Sequence, residues 1–253
     1  MKDCQAKNPE FCRYHGAYHF PAEKLSYVEH VRESEKLKMF LTIDERDAVQ
    51  GYLEQEYMEL NAHLHGAEIN PSPETLKRIK DLDAALDKYE PLRPQNVITT
   101  YRATKCYQSF TDRTEAQKWI RENFPVKSKI KLAGFTSTTP NPSALFDFLP
   151  ESHADLSPTI GGPLFPTKKD WDEYLQEEPD RGLGNLVFVL KTRAGVPVSG
   201  YGQAFSQKEQ EYLFPRDKEF TVDSILPYRK ILNPDDSSRR QSAHATVITL
   251  KES

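Results

Sequence analysis

A change of hydrophobic period part-way along the chain constrains its fold more than any other feature. Up to Pro91 and Pro94, apolar side chains recur at helical spacing; beyond them, they recur at every second position. The stretch "TIDERDAVQGYLEQEYMELNAHLHG" offers Thr42 or Asp44 as a cap, Val49, Leu53, Met58, Leu60 and Leu64 as an apolar stripe, and Gly66 as a stop. "NPSPETLKRIKDLDAALDKYEPL" opens on Ser72-Pro-Glu and carries Leu76, Ile79, Leu82 and Leu86 on one face. Upstream, "EKLSYVEHVRESEKLKMFL" reads as a further helix.

After the prolines, strands are expected around Val97 to Arg102 and along "KIKLAGFTSTT", with a polar helix from about Thr114 to Asn123 between them. Residues 140 to 179 read as a Pro-rich loop with one short helix near Trp171. "NLVFVLKT" is almost wholly apolar, as a buried central strand should be. "VPVSG", "EQEYLF", "KEFTVDSIL" and "HATVITL" complete the strand set. Helices first and strands afterwards make an α+β class, and no internal repeat is present.

Composition excludes several classes of function. The apolar fraction of 37% is enough for a core, and the formal charge of −4 lacks the basic footprint that captures nucleic acid. No apolar run approaches the ~20 residues of a membrane span. The start "MKDCQAKNPEFCRYHGAYHF" has no apolar centre, so no Sec-type export is expected. Cys4, Cys12 and Cys106 are an odd, sparse set, which fits a reducing compartment and not a disulfide framework. Cys4, Cys12, His15 and His19 carry zinc-ligand types, but their spacing matches no common zinc pattern, and no metal is expected.

Polar residues at strand positions are the candidates for chemistry. Arg102 ends "TYR", a hydroxyl run Ser137-Thr138-Thr139 ends "GFTSTT", and Glu209 and Glu211 flank Gln210 in "KEQEYLFPR". Each has an ordinary explanation: a surface ion pair, a strand leading into a turn, a solvated strand face. Two glutamates two apart on a strand point the same way, beside a strongly apolar run, which is an expensive arrangement without a purpose.

In this order, the three motifs resemble the Arg/Ser/Glu class of mono-ADP-ribosyltransferases of bacterial toxin or bacteriophage type. "TYRA", "GFTSTT" and "EQEYLFPRDKEF" stand for that family's aromatic-Arg, Ser-Thr-Ser and Glu-x-Glu strands. Thr139 stands where Ser is commoner, and Ala103 where Gly is usual. The resemblance runs from about Leu41 to Ser253, which implies a catalytic domain over 41–253 behind an extension over 1–40 with a Cys/His leader and a short helix.

The family's fold would be two small, roughly perpendicular β-sheets forming an NAD cleft, braced by helices. The resemblance implies that ADP-ribose passes from NAD to an arginine of a target protein. It implies catalytic roles for Arg102, Ser137, Glu209 and Glu211. NAD contacts would come from Arg102, Ala103, Ser137, Thr138, Phe148 and Glu211, with Phe146 an alternative to Phe148 over the nicotinamide. Glu211 would stabilise the ribosyl cation, Ser137 would orient Glu211, and Arg102 would hold the pyrophosphate. Glu209 would dock the acceptor, and Glu rather than Gln at that position implies arginine. Tyr201 or Phe205 would either stack on the acceptor or pack inside.

The leader resembles those of phage-associated and toxin-type proteins. Synthesis in a bacterial cytoplasm is therefore expected, followed by delivery to a target cell or packaging in a virion, with an immunity or delivery partner. The alternatives are NAD hydrolysis, modification of nucleic acid, or an inactive virion-associated docking protein.

Overall fold

The computed structural model describes residues 11–12, 17–18, 20, 27–67, 70–92, 97–105, 110, 112–149, 183–198, 201, 210–234 and 242–253. Helix α1 (Tyr27–Phe40) buries His30, Ser34 and Leu37, with Leu41 just beyond its end, on one face. Helix α2 (Ile43–Gly51) starts at Thr42 through a capping box: the Glu45 N–H donates to Thr42 Oγ1 at 3.3 Å, and the Thr42 N–H donates to the Glu45 carboxylate at 2.7 Å.

A π turn over Tyr52–Glu56 joins α2 to α3 (Tyr57–Leu64), and Gly66, at φ +75°, ends the run. The extra residue of a π turn re-phases the apolar stripe. Met58, expected inside, is therefore exposed, whereas Tyr52 and Leu60 are buried. In α4 (Pro73–Asp87), Ser72 accepts the Thr75 N–H at 3.0 Å. Its buried stripe is Thr75, Ile79, Leu82 and Leu86, and Leu76 faces outward against expectation.

Seven strands form the larger sheet, in the order β1 (Phe11–Cys12), β2 (Ala17–Tyr18), β9 (Lys218–Leu232), β10 (Ser242–Glu252), β6 (Asn185–Thr192) and β3 (Ile98–Lys105), with β4 (Lys129–Leu132) also on β9. β10 runs parallel to β6 and antiparallel to β9, and β3 runs antiparallel to β6. Helix α5 (Arg113–Asn123), capped by Asp112, contributes Ile120 to the core that holds Phe220 and Ile248 of this sheet.

The smaller sheet has the order β5 (Thr136–Thr138), β8 (Tyr212–Phe214), β7 (Val196–Pro197). "KIKLAGFTSTT" is thus two strands in two sheets, and not one. The break falls at Gly134, where a Cβ would lie 2.5 Å from Asn61 Oδ1 and 2.9 Å from His65 Nε2 of the α3 end. A glycine there lets the helix end approach the chain as it crosses between sheets.

Strand β8 is buried on both faces. Leu213 points into the helical core with Leu37, Leu60 and Leu86, while Tyr212 and Phe214 point into the core of the large sheet. This explains the unbroken apolar run Tyr212-Leu213-Phe214. The helical core also crosses the boundary expected at residue 41, because Leu37 of α1 packs with Val198 and Leu213. The short helix expected near Trp171 lies outside the described residues; a 3-10 turn occupies Pro142–Asp147 instead of plain loop.

Candidate active site

The two sheets meet where β3 passes the end of β5. Tyr101 and Thr139 exchange backbone hydrogen bonds of 2.7 and 2.8 Å across the junction. Next along β3, Arg102 sends Nη1 to the Ser137 carbonyl at 2.8 Å. Ser137 in turn lies opposite Leu213 of β8, two residues beyond Glu211. Thr138 is buried and donates its hydroxyl to the Tyr212 carbonyl at 3.2 Å, so its side chain belongs to the junction rather than to an open cleft.

Glu211 lies just before β8, at the end of its pairing with β7. Its carbonyl accepts the Val198 N–H at 2.9 Å, and Gln210 before it is left-handed, at φ 48°. The strand expected over "EQEYLF" is corrected here: it takes in Tyr212 to Phe214 but not Glu211. A left-handed residue breaks the alternation on which that expectation depends, and the strand begins only at Tyr212. Glu209 itself lies outside the described residues.

One helical residue connects the site, and sequence reasoning missed it. The Tyr52 hydroxyl donates to the Phe135 carbonyl at 2.9 Å and accepts from Asn61 Nδ2 at 3.1 Å; Asn61 also reaches the Phe135 carbonyl, at 3.1 Å. Burial is the main force raising the ionisation of Tyr52 above its ordinary value. Asn61, the Arg102 charge and the Ser137 hydroxyl oppose that rise, and the Glu211 charge adds to it. The charges of Arg102 and Glu211 are therefore both felt at this phenol, which also meets the Ser137 hydroxyl.

A second missed residue is His30, buried on α1, whose ring packs edge-on to Tyr212 at 4.7 Å and hydrogen-bonds the Glu211 backbone. The available signal was a polar residue in register with the apolar stripe of a helix: His30 with Leu37 and Leu41, and Asn61 between Leu60 and Leu64.

Ala103 is half-buried against the core beneath β3 and β6. Phe146 is buried in that same core, whereas Phe148 is exposed. Tyr201 is buried against the helical core with the Lys38 ammonium 4.8 Å from its ring centre, so it is a packing residue; Phe205 lies outside the described residues. Cys4, Cys106, His15 and His19, and the side chain of Cys12, also lie outside them. Among the described residues, no group of three or more His, Cys, Asp or Glu is arranged to hold a metal, and no helix is long and apolar enough to cross a membrane.

The family model of the ADP-ribosyltransferase exoenzymes matches residues 30–157, just over half of the chain. The chain belongs to the ADP-ribosyltransferase exoenzyme family. That span contains Arg102 and Ser137 but ends before the glutamate pair. No curated protein matches the sequence.

Solved structures show the same fold at low identity. The enzymatic component C2-I of the Clostridium botulinum C2-toxin is 16% identical, over 97% of this chain and 50% of that one, with a TM-score of 0.56. Plx2a, an ADP-ribosyltransferase toxin from Paenibacillus larvae, is 17% identical over 91% of this chain and 98% of that one, also at 0.56. BECa of a C. perfringens binary enterotoxin, solved with NADH, is 18% identical over 88% and 48%, at 0.55. The chain thus spans about half the length of C2-I. The two-sheet α+β architecture is that of this family, and NAD is its substrate.

Proposed function

We propose that this ADP-ribosyltransferase transfers ADP-ribose from NAD to an arginine of a target protein, with Arg102, Ser137, Glu209 and Glu211 as the working groups. The meeting of the three motifs at one sheet junction carries the reading: Arg102 reaches the Ser137 carbonyl, and Ser137 pairs with Leu213, two residues past Glu211.

The chemistry suits that set. As the bond between the nicotinamide nitrogen and the ribose breaks, its electron pair leaves with nicotinamide, which departs neutral. Positive charge develops on the ribose, and a fixed carboxylate stabilises it. That is the role given to Glu211. Arg102 keeps further N–H donors beyond the one used on Ser137, and a planar fork suits a pyrophosphate. Exposed Phe148, Ala103 and the main chain around Thr138 would complete the NAD contacts. A guanidinium holds its proton up to about pH 12 and needs a base as its nitrogen bonds the ribose; Glu209 would take that proton. Glu rather than Gln at 209 supports arginine as acceptor. A toxin-type enzyme of this kind would be made in a bacterial cytoplasm and act after delivery to a target cell or packaging in a virion.

The experiment is a pair of charge-removing variants assayed with labelled NAD. Glu211→Gln should lose both transfer to agmatine and hydrolysis of NAD by ~10²-fold or more. Glu209→Gln should lose transfer while keeping a sizeable fraction of hydrolysis. A folded Glu211→Gln with near-normal rates would overturn the site, and parallel loss of both activities in Glu209→Gln would overturn the division between donor and acceptor.

A further inference from the structure

Glu211 needs an external hold. It precedes β8 and follows a left-handed residue, so it sits at the end of the β7–β8 pairing that fixes its neighbours Tyr212 and Leu213. Its carbonyl accepts the Val198 N–H one step beyond the Pro197–Tyr212 pair, and its backbone is held from the helical side by His30 of α1. A carbonyl oxygen has two lone pairs, and two donors fix the orientation of its peptide.

His30 is an unusual choice for its position. The buried face continues with Ser34, Leu37 and Leu41, and an apolar side chain at position 30 would avoid the cost of taking an imidazole out of water. That cost is visible, since burial pushes the His30 pKa down to about 4 and keeps the ring neutral. A neutral ring can donate to the Glu211 main chain without bringing a competing cation to its carboxylate. The same helix reaches the chain on the far side of residues 202–209, through Lys38 over the Tyr201 ring and Leu37 in the core with Tyr201.

We infer that α1 is part of the catalytic apparatus, and that His30 is a positioning residue that holds the Glu211 main chain so that its carboxylate faces the ribose. The inference depends on the role proposed above for Glu211. It adds that an extension helix, and not only the sheet junction, governs turnover.

The test compares His30→Phe and His30→Leu, which keep bulk but remove the donor, with His30→Gln, which keeps a donor at similar reach. NAD hydrolysis is measured at pH 7.5, NAD affinity by calorimetry, and folding by circular dichroism. The expected result is a fall of tenfold or more in kcat for the folded Phe and Leu variants. The KM for NAD should stay within about threefold, and Gln should recover most of the loss. A purely structural histidine would not give that split or that rescue. Wild-type kcat in either folded apolar variant would overturn the inference, as would a Gln variant that falls as far as Phe. If Glu211→Gln is inactive while His30→Leu turns over normally, the positioning role alone fails. If Glu211→Gln is itself active, the site reading fails first.

Discussion

His30 shows how one buried side chain ties stability to pH. Burial lowers its pKa from 6.5 to about 4, against the upward pull of its hydrogen bond to the Glu211 backbone. The unfolded chain therefore takes up this proton before the folded one. Stability from this group is complete above pH 6.5 and is lost as pH falls toward 4. At pH 5, the loss should be about 2 kcal/mol relative to pH 7.5. Urea unfolding at the two values measures it, and His30→Leu should remove most of the difference. An unchanged difference would mean that other groups dominate that window. Arg102 ties two motifs together: its contact with the Ser137 carbonyl joins the phosphate-binding candidate to the strand that carries the hydroxyl.

The crossing from β4 to β5 depends on an absent side chain. Gly134 admits Asn61 and His65 so closely that a methyl group would lie 2.5 Å from Asn61 Oδ1. In Gly134→Ala, the end of Asn61 must turn away, and its bonds to the Tyr52 hydroxyl and the Phe135 carbonyl are lost. Each such bond contributes about 1 kcal/mol, so a destabilisation of about 1–2 kcal/mol is expected in urea. Turnover should fall further than that figure implies, because Tyr52 and Ser137 both lie at this crossing. Asn61→Ala should reproduce the turnover loss. A Gly134→Ala enzyme with full activity would separate the crossing from the site. The π turn at Tyr52–Glu56 acts on the same contact from the helical side, since it brings Tyr52 and Asn61 to one carbonyl.

Helix α1, ahead of the boundary expected at residue 41, shares a core with β8. Leu37 is fully buried beside Leu213 of β8, and Arg216, just past that strand, holds Asp83 of α4 through Nε and Nη2 at 3.0 and 2.9 Å. The ion pair is partly solvated and adds little by itself; the apolar contact contributes more. Leu37→Ala should destabilise the whole protein by about 2–5 kcal/mol in a single cooperative transition, although residue 37 lies in the supposed extension. Denaturant unfolding followed by both fluorescence and circular dichroism measures this. A cost below about 1 kcal/mol, or an early separate transition for α1, would restore the boundary at residue 41.

Much of the architecture was legible without coordinates because it depends on local patterns. Thr42 and Ser72 announce their helices through side-chain caps, Gly66 ends one by its positive φ, and the apolar run of "NLVFVLKT" marks a strand covered on both faces. The order of Arg102, Ser137 and the glutamate pair pointed to the family that the match over residues 30–157 then identified. Tertiary structure decided what local pattern cannot carry. The break at Gly134 depends on the approach of a helix from about seventy residues upstream, the exposure of Met58 on a π turn, and the start of β8 at Tyr212 on a left-handed Gln210. Tyr52 and His30 looked like ordinary helical residues because the Phe135 carbonyl that Tyr52 bonds, and the Glu211 backbone that His30 bonds, come within reach only when long-range packing closes the helices onto the small sheet. Helical period and capping act within one turn of chain, whereas the surroundings of a carboxylate are assembled from the whole fold.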